Sequence, residues 1–346
     1  MRVGSIYGRQ RGVVKWIAAM GTLIVSVILM LAACVTPVTF GKLTSEDFVM
    51  PRLEPDNERL ISFDGAELGL TVWSAETEPE IVIVGVHGMN DYANAFHMAA
   101  PYWAENGVTT YAYDQRGFGR SVGRGDWPEE ELMREDLRTA VRLVREVHPD
   151  ATLAVVGISM GGSMTMTAFA SERPPEGVDR IVLSGPGLRG WGTIPLVQRA
   201  ALWASVRVRP GWVVVPPKFV KIEPSDNVEM LQRTWSDPLM LRNNKIEQVH
   251  GVVTLMENAH RVVRDLPADI PTLLTYGAND IVILKRGFKR TARLLPPHVQ
   301  TAYYPDGYHM ILRDRHSDVV HKDVLAFLRE PDGDLPSGVG EVPGRN

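Results

Sequence analysis

The residues that could carry chemistry gather around one serine. Ser159 stands in Gly157-Ile158-Ser159-Met160-Gly161, directly after the apolar run Leu153 to Ile158 and before Gly162-Ser163-Met164-Thr165-Met166-Thr167-Ala168-Phe169-Ala170, a stretch able to form a helix. A G-x-S-x-G pentapeptide alone carries little weight. Strand, tight turn and helix around it make it a nucleophile elbow, in which glycines let strand and helix approach and the serine hydroxyl points outward. A hydroxyl attacks only when a base takes its proton and a third group orients that base. His309, in Pro305-Asp306-Gly307-Tyr308-His309, follows the last strand pattern and is the expected base. Asp280, after Gly277-Ala278-Asn279, is the expected orienting carboxylate, accepting a hydrogen bond from the far ring nitrogen. Asp306 and Asp314 are the alternatives, but they lie so close to His309 that capping its loop suits them better. Among the other histidines, His87 belongs to the loop considered next. His148 ends a helix pattern, His250 and His260 lie in an insertion, and His97, His298, His316 and His321 are less well placed.

The negative oxygen of a tetrahedral intermediate needs two backbone N–H donors. Met160, next after the nucleophile, should supply one. Met89, in His87-Gly88-Met89-Asn90 at the end of another apolar run, should supply the other. The expected chemistry is acyl transfer, with no metal or organic cofactor.

Positioning these groups requires a sheet whose strands end at one rim. Ile81 to Val86, Val108 to Tyr113, Leu153 to Ile158, Ile181 to Leu183, Thr272 to Tyr276 and Val299 to Tyr304 read as such strands, and the chemistry-bearing residues follow their carboxyl ends. Ile61 to Phe63 and Leu68 to Trp73 flank Asp64-Gly65 as an antiparallel hairpin. Between the strands lie helical patterns. In the clearest, Pro128 to Val147, Met133, Leu137, Val141 and Val144 make one stripe, with Asp126 expected as its cap and Pro128 in its first turn. Asp318 to Arg329 is a second. Alternating strands and helices predict an α/β fold with a mostly parallel central sheet and helices on both faces. Residues 187–268 break the alternation and hold Trp191, Trp203, Trp212 and Trp235, half of the eight tryptophans. That stretch reads as an inserted, mainly helical lid, the core being 60–186 and 269–330. Residues 331–346, rich in Pro and Gly, read as a flexible tail.

Residues 1–15 carry Arg2, Arg9, Arg11 and Lys15 and no acid; the uncharged run from Trp16 to Cys34 follows. This is the charge and hydropathy pattern of a secretory signal. Cys34 is the sole cysteine, so no internal disulfide and no cysteine metal cluster can form. Its context, Leu31-Ala32-Ala33-Cys34, resembles the bacterial lipoprotein signal box, which implies cleavage before Cys34 and its acylation. Residues 1–34 would then be a signal peptide, or else an uncleaved membrane anchor, and 35–59 a tether. Val35, rather than an acid, follows the cysteine; by the same resemblance this points to an outer-membrane lipoprotein facing the periplasm, with inner-membrane anchoring as the alternative. With 346 residues, 45% hydrophobic, and a net charge of −4, the chain is globular and lacks the basic stripe of a nucleic-acid partner.

Taken together, His87-Gly88-Met89-Asn90, Tyr113-Asp114-Gln115-Arg116-Gly117-Phe118-Gly119-Arg120-Ser121, the Ser159 elbow, Gly277-Ala278-Asn279-Asp280 with Ile281-Val282, and Tyr308-His309 resemble the monoacylglycerol lipase, lysophospholipase and serine aminopeptidase group of α/β-hydrolases. The pieces span residues 60 to 330 in the right order. The resemblance implies the α/β-hydrolase fold, a triad of Ser159, Asp280 and His309, a structural turn at Asp114 to Ser121, and a lid where the insertion lies. Many relatives carry Gly or Glu after the HG-x part, where this chain has Asn90. The implied substrate is a carboxylic ester such as a monoacylglycerol or lysophospholipid. The other readings are a serine aminopeptidase, for which Glu223, Asp226 or Glu229 would have to bind a free amino group, a small-ester carboxylesterase, and a non-catalytic binding lipoprotein of the same fold.

Overall fold

The computed structural model describes residues 48–345 except Asn57, residues 215–222 and Leu284. The expected signal, Cys34 and residues 35–47 of the tether therefore lie outside the described residues. Among the described residues no helix is long and apolar enough to cross a membrane.

The described residues form eleven strands: β1 (Arg52–Leu53), β2 (Arg59–Ile61), β3 (Glu67–Trp73), β4 (Ile81–Val86), β5 (Val108–Tyr113), β6 (Thr152–Ile158), β7 (Arg180–Ser184), β8 (Val213–Val214), β9 (Asn244–Lys245), β10 (Thr272–Gly277) and β11 (Val299–Tyr304). Nine form one sheet in the order β1-β2-β3-β5-β4-β6-β7-β10-β11. From β5 through β11 every pairing is parallel, while β1, β2 and β3 join antiparallel. Strands β1 and β2 begin before residue 60, so the end of the expected tether belongs to the sheet.

The helices are α1 (Ala99–Glu105), α2 (Glu130–Val147), α3 (Met160–Phe169), α4 (Leu196–Val208), α5 (Val228–Ser236), α6 (Ile246–Val262), α7 (Lys285–Ala292) and α8 (Ser317–Arg329). The unbroken apolar run of β4 follows from burial on both faces. Val82, Val84 and Val86 enter one core with Met133, Leu137, Val141 and Val144 of α2 and Met164 and Met166 of α3. Ile81 and Ile83 enter the other with Trp103 of α1 and Val324 and Phe327 of α8. Each such side chain contributes about 1.5–3 kcal/mol by leaving water. The Trp103 indole N–H, donated to the His321 carbonyl at 3.1 Å, ties α1 to α8.

Two expectations need correction. Helix α2 starts at Glu130, after Pro128, and Asp126 does not cap it: the Asp126 carboxylate is drawn instead to the Lys245 ammonium at the start of α6. The segment after Glu330 is not loose. Leu335 and Val342 are buried, the Tyr303 N–H donates to Gly340 at 2.9 Å, and the Ser337 hydroxyl meets Asp323 at 2.5 Å. Pro and Gly rule out a regular element there, but the free edge of β11 has unpaired backbone donors, and this segment covers them.

Candidate active site

The turn between β6 and α3 holds Ser159 at φ 51°, ψ −113°, a strained conformation for a residue with a side chain. The strain persists because the surroundings leave no alternative. The Ser159 N–H donates to Ser184 at 3.0 Å, and its carbonyl accepts from Ser163 at 3.1 Å and Gly187 at 2.8 Å. At Gly161 a Cβ would lie 2.6 Å from the His87 carbonyl oxygen and closer still to that of Val86. Only glycine lets α3 start this near the loop after β4.

Three strand ends deliver the expected groups to one place. The Ser159 hydroxyl is 2.9 Å from His309 Nε2, and His309 Nδ1 is 2.8 Å from Asp280 Oδ2. All three residues are buried. The other Asp280 oxygen, Oδ1, accepts the N–H groups of Val282 and Ile283, each at 2.8 Å, so the carboxylate that faces the imidazole is locked in place. Asp314, one of the alternative acids, accepts the Tyr308 N–H at 2.7 Å and the Ser225 hydroxyl at 2.6 Å, and so caps the histidine loop. Asp306 is exposed.

The loop after β4 runs beside the nucleophile. A Cβ on Gly88 would sit 3.2 Å from Ser159 Cβ. Met89 follows Gly88 in that loop, and Met160 comes directly after the serine and opens α3. His87 cannot serve as a second base. It is fully buried, its Nδ1–H donates to Gly88 at 2.7 Å, and its Nε2 accepts the Gln115 N–H at 2.8 Å. Burial lowers its pKa and keeps the ring neutral. The Asp114 to Ser121 turn is structural: the Asp114 carboxylate accepts N–H groups of Ala93 and Arg120 at 2.8 Å each.

Sequence reasoning missed the ties that join these loops to each other and to the insertion. Asp91, two residues past Met89, pairs with Arg313, four residues past His309, and both are buried. The Arg313 carbonyl accepts the Asn227 side chain at 3.1 Å, while Asn227 Oδ1 caps α5 through the Met230 N–H. At the other end of α5, Asp237 accepts the Tyr92 hydroxyl at 2.5 Å. The Leu241 N–H donates to the Asn90 carbonyl at 2.9 Å, and Asn90 is the second non-glycine residue at positive φ, 69°. Partners 222 residues apart leave no local pattern to read.

The insertion carries α4, α5, α6 and the small β8–β9 hairpin. Helix α6 packs on α3 and α4 packs on α6. Glu257 of α6 accepts both guanidinium nitrogens of Arg290 on α7, at 2.9 and 2.8 Å, and the Gly192 N–H at 2.8 Å. The Arg290 hydrogen bonds hold its pKa down at about 2. Of the lid tryptophans, Trp191 bonds Thr254 and Trp203 lies under Arg207, whereas Trp212 and Trp235 are exposed. The three lid acids considered for an amine are spent or open to water. Asp226 accepts the Arg315 N–H at 2.9 Å, Glu229 pairs with Arg233 along its own helix, and Glu223 is exposed. Among the described residues no group of three or more His, Cys, Asp or Glu is placed to hold a metal.

Comparison with known proteins agrees with this geometry. The family described as "Serine aminopeptidase, S33" matches residues 77–316. A monoacylglycerol lipase of Mycolicibacterium smegmatis is 27% identical over 269 residues, covering 76% of this chain and 93% of that protein. Among solved structures, a soluble variant of the Saccharomyces cerevisiae monoglyceride lipase superposes with a TM-score of 0.67 at 18% identity, over 85% of this chain and 98% of that one. A thermostable carboxyl esterase from Bacillus coagulans gives 0.65 at 21% identity, over 78% and 96%. The chain is thus a serine hydrolase of the α/β-hydrolase fold and belongs to the serine aminopeptidase S33 family, within the group that includes the monoacylglycerol lipases.

Proposed function

We propose that the chain hydrolyses carboxylic esters of lipid type, monoacylglycerols or lysophospholipids, through an acyl-enzyme on Ser159. The observation that carries this reading is the unbroken relay from the Ser159 hydroxyl to His309 to Asp280, at 2.9 and 2.8 Å. In the first half-reaction His309 Nε2 takes the hydroxyl proton as Ser159 Oγ attacks the ester carbonyl. Asp280 stabilises the imidazolium and keeps Nδ1 protonated. The N–H groups of Met89 and Met160 receive the oxyanion, where each donor contributes about 2.7–4 kcal/mol to the barrier reduction. The alcohol leaves with the proton from His309. Water, deprotonated by the same nitrogen, then releases the acid and restores the serine.

The similarity to a mycobacterial monoacylglycerol lipase over most of both chains supports a lipid ester over a small one. The uncharged run ending at Cys34 supports anchoring at a membrane outside the cytoplasm, by acylation of Cys34. Labelled palmitate should enter the expressed full chain and be lost in Cys34→Ser.

The test of the reaction is a substrate panel for the full chain beside Ser159→Ala. The panel holds long- and short-chain p-nitrophenyl esters, a monoacylglycerol, a lysophospholipid and an aminoacyl anilide. Long-chain lipids should be preferred and their hydrolysis abolished in the variant. Preference for the anilide would move the chain to peptide substrates. Loss of Ser159 labelling by a fluorophosphonate probe, in wild type, would overturn the catalytic reading altogether.

A further inference from the structure

The three groups of the relay are held in different ways. Ser159 is fixed by the turn between β6 and α3, and Asp280 by the N–H groups of Val282 and Ile283. The main chain on each side of His309 is held through the insertion. The Met310 N–H, directly after the base, donates to the Pro224 carbonyl at 2.8 Å. The Tyr308 N–H, directly before it, donates to Asp314 Oδ2 at 2.7 Å, and Asp314 Oδ1 accepts the Ser225 hydroxyl at 2.6 Å. Asp226 Oδ1 accepts the Arg315 N–H at 2.9 Å, and Asn227 Nδ2 donates to the Arg313 carbonyl at 3.1 Å. Each residue from Pro224 to Asn227, the lead-in to α5, thus bonds the loop that carries the base.

These bonds are built into the interior. Pro224, Ser225 and Asp314 are all buried. Burial raises the pKa of Asp314, and the Ser225 hydroxyl and Tyr308 N–H donated to it oppose that rise. Without Ser225 the carboxylate would keep an unmet acceptor in a dry site, and its hold on the Tyr308 N–H would loosen. Asn227 does two jobs with one amide. Its Oδ1 caps α5 through the Met230 N–H at 3.2 Å, while its Nδ2 ties that helix start to the histidine loop. Its own N–H donates to Ser225 Oγ at 3.1 Å, so the two side chains form one unit. On the far side, a Cβ on Gly185, next after β7, would lie 3.1 Å from the His309 carbonyl. The base therefore sits between a strand end and the lead-in to α5.

An imidazole that must meet Ser159 with one nitrogen and Asp280 with the other tolerates little displacement. We propose that Ser225 and Asn227 are positioning residues for His309. Acting through Asp314 and the Arg313 carbonyl, they set the ring between Ser159 and Asp280, so the insertion acts on the proton transfer itself. The inference rests on His309 being the base.

The test uses the full chain and reads kcat and KM separately on short- and long-chain p-nitrophenyl esters. Ser225→Ala removes the hydroxyl. Asn227→Ser keeps a helix-capping oxygen and removes the donor to Arg313. Each should lower kcat on both esters by about 10–100-fold and leave KM within about twofold. Arg233→Ala is the control on α5, since that side chain is exposed and pairs with Glu229 of the same helix; it should change neither constant. Melting temperatures are measured for every variant. Should Ser225→Ala unfold, Asn227→Ser, at a half-buried position, carries the test. Unchanged kcat in the folded variants overturns the proposal. A rise in KM for the long ester with unchanged kcat on the short one confines α5 to substrate binding and also overturns it. So does an equal loss in Arg233→Ala, which would mean a general weakening of the insertion. His309→Ala, run beside them, separates the two readings. Wild-type turnover there removes the base assignment itself, whereas loss there with unchanged kcat in Ser225→Ala and Asn227→Ser removes only the positioning role.

Discussion

Helices α3 and α4 are both short, both rich in small and apolar residues, and oppositely disposed. Every residue of α3 from Met160 to Phe169 is buried, and the serine before it is held at positive φ. Along α4 one residue is buried and Leu196, Val197 and Val208 are exposed. The contrast separates two sources of constraint. Around Ser159 the chain's own packing dictates residue size and backbone conformation. Along α4 the packing of the described chain imposes little of either.

Substitutions can sharpen or break that contrast. The largest effect is expected at Ser159→Ala, which should lower kcat by about 10⁴–10⁶-fold, measured by single-turnover hydrolysis. Its melting temperature should not fall, because the strained turn gains nothing from the hydroxyl; a large fall would show that Ser159 is a packing residue. Next come the ties that only the core requires. Arg313→Ala leaves the Asp91 carboxylate buried without its charge partner and should cost about 3–5 kcal/mol in urea unfolding. The same variant should reduce kcat, since Asp91 and Arg313 join the loops of Met89 and His309.

Acid titration should act on the core at two depths. Burial lowers the pKa of His87, His97, His250, His260 and His321 below the ordinary 6.5. In the unfolded chain each takes a proton more readily. Their contribution to stability is therefore full above pH 6.5 and declines as the pH falls below it. Glu257 behaves as a depressed carboxylate: its contribution is present above its ordinary 4.5 and is lost as the pH falls toward about 2. Differential scanning calorimetry from pH 7 to 3 should show the first decline in wild type, and Glu257→Gln should remove only part of the second. The smallest effect is expected on α4. Leu196→Ser or Val197→Ser should change unfolding free energy by about 0.5 kcal/mol or less, as for an exposed position. A cost above 2 kcal/mol at either would erase the contrast with α3.

The sequence made the α3 side legible and left most of the α4 side hidden for physical reasons. Runs such as Ile81 to Val86 and Leu153 to Ile158 follow from burial on both sheet faces, and short-range order fixes what comes after each strand end. Ser159, Asp280 and His309 could be read in this way because each sits within four or five residues of such a run. Asp91 and Arg313 could not, since no spacing rule connects positions so far apart. Spacing alone ties Asp126 to the nearest helix, but a lysine from the insertion competes for its charge. At the Pro- and Gly-rich end of the chain, composition reports the absence of regular structure and not the absence of a surface to cover. In the insertion, apolar residues point to a mainly helical lid without saying where each helix begins or which way it faces.

The Leu241 N–H to Asn90 carbonyl bond gives the insertion a hold on the core. It grips the loop after β4 at the one residue of that loop held in a left-handed backbone conformation. If the proposed acyl substrate enters by displacing the insertion, that movement pulls on the Asn90 carbonyl and so on the backbone next to Met89, the proposed oxyanion donor.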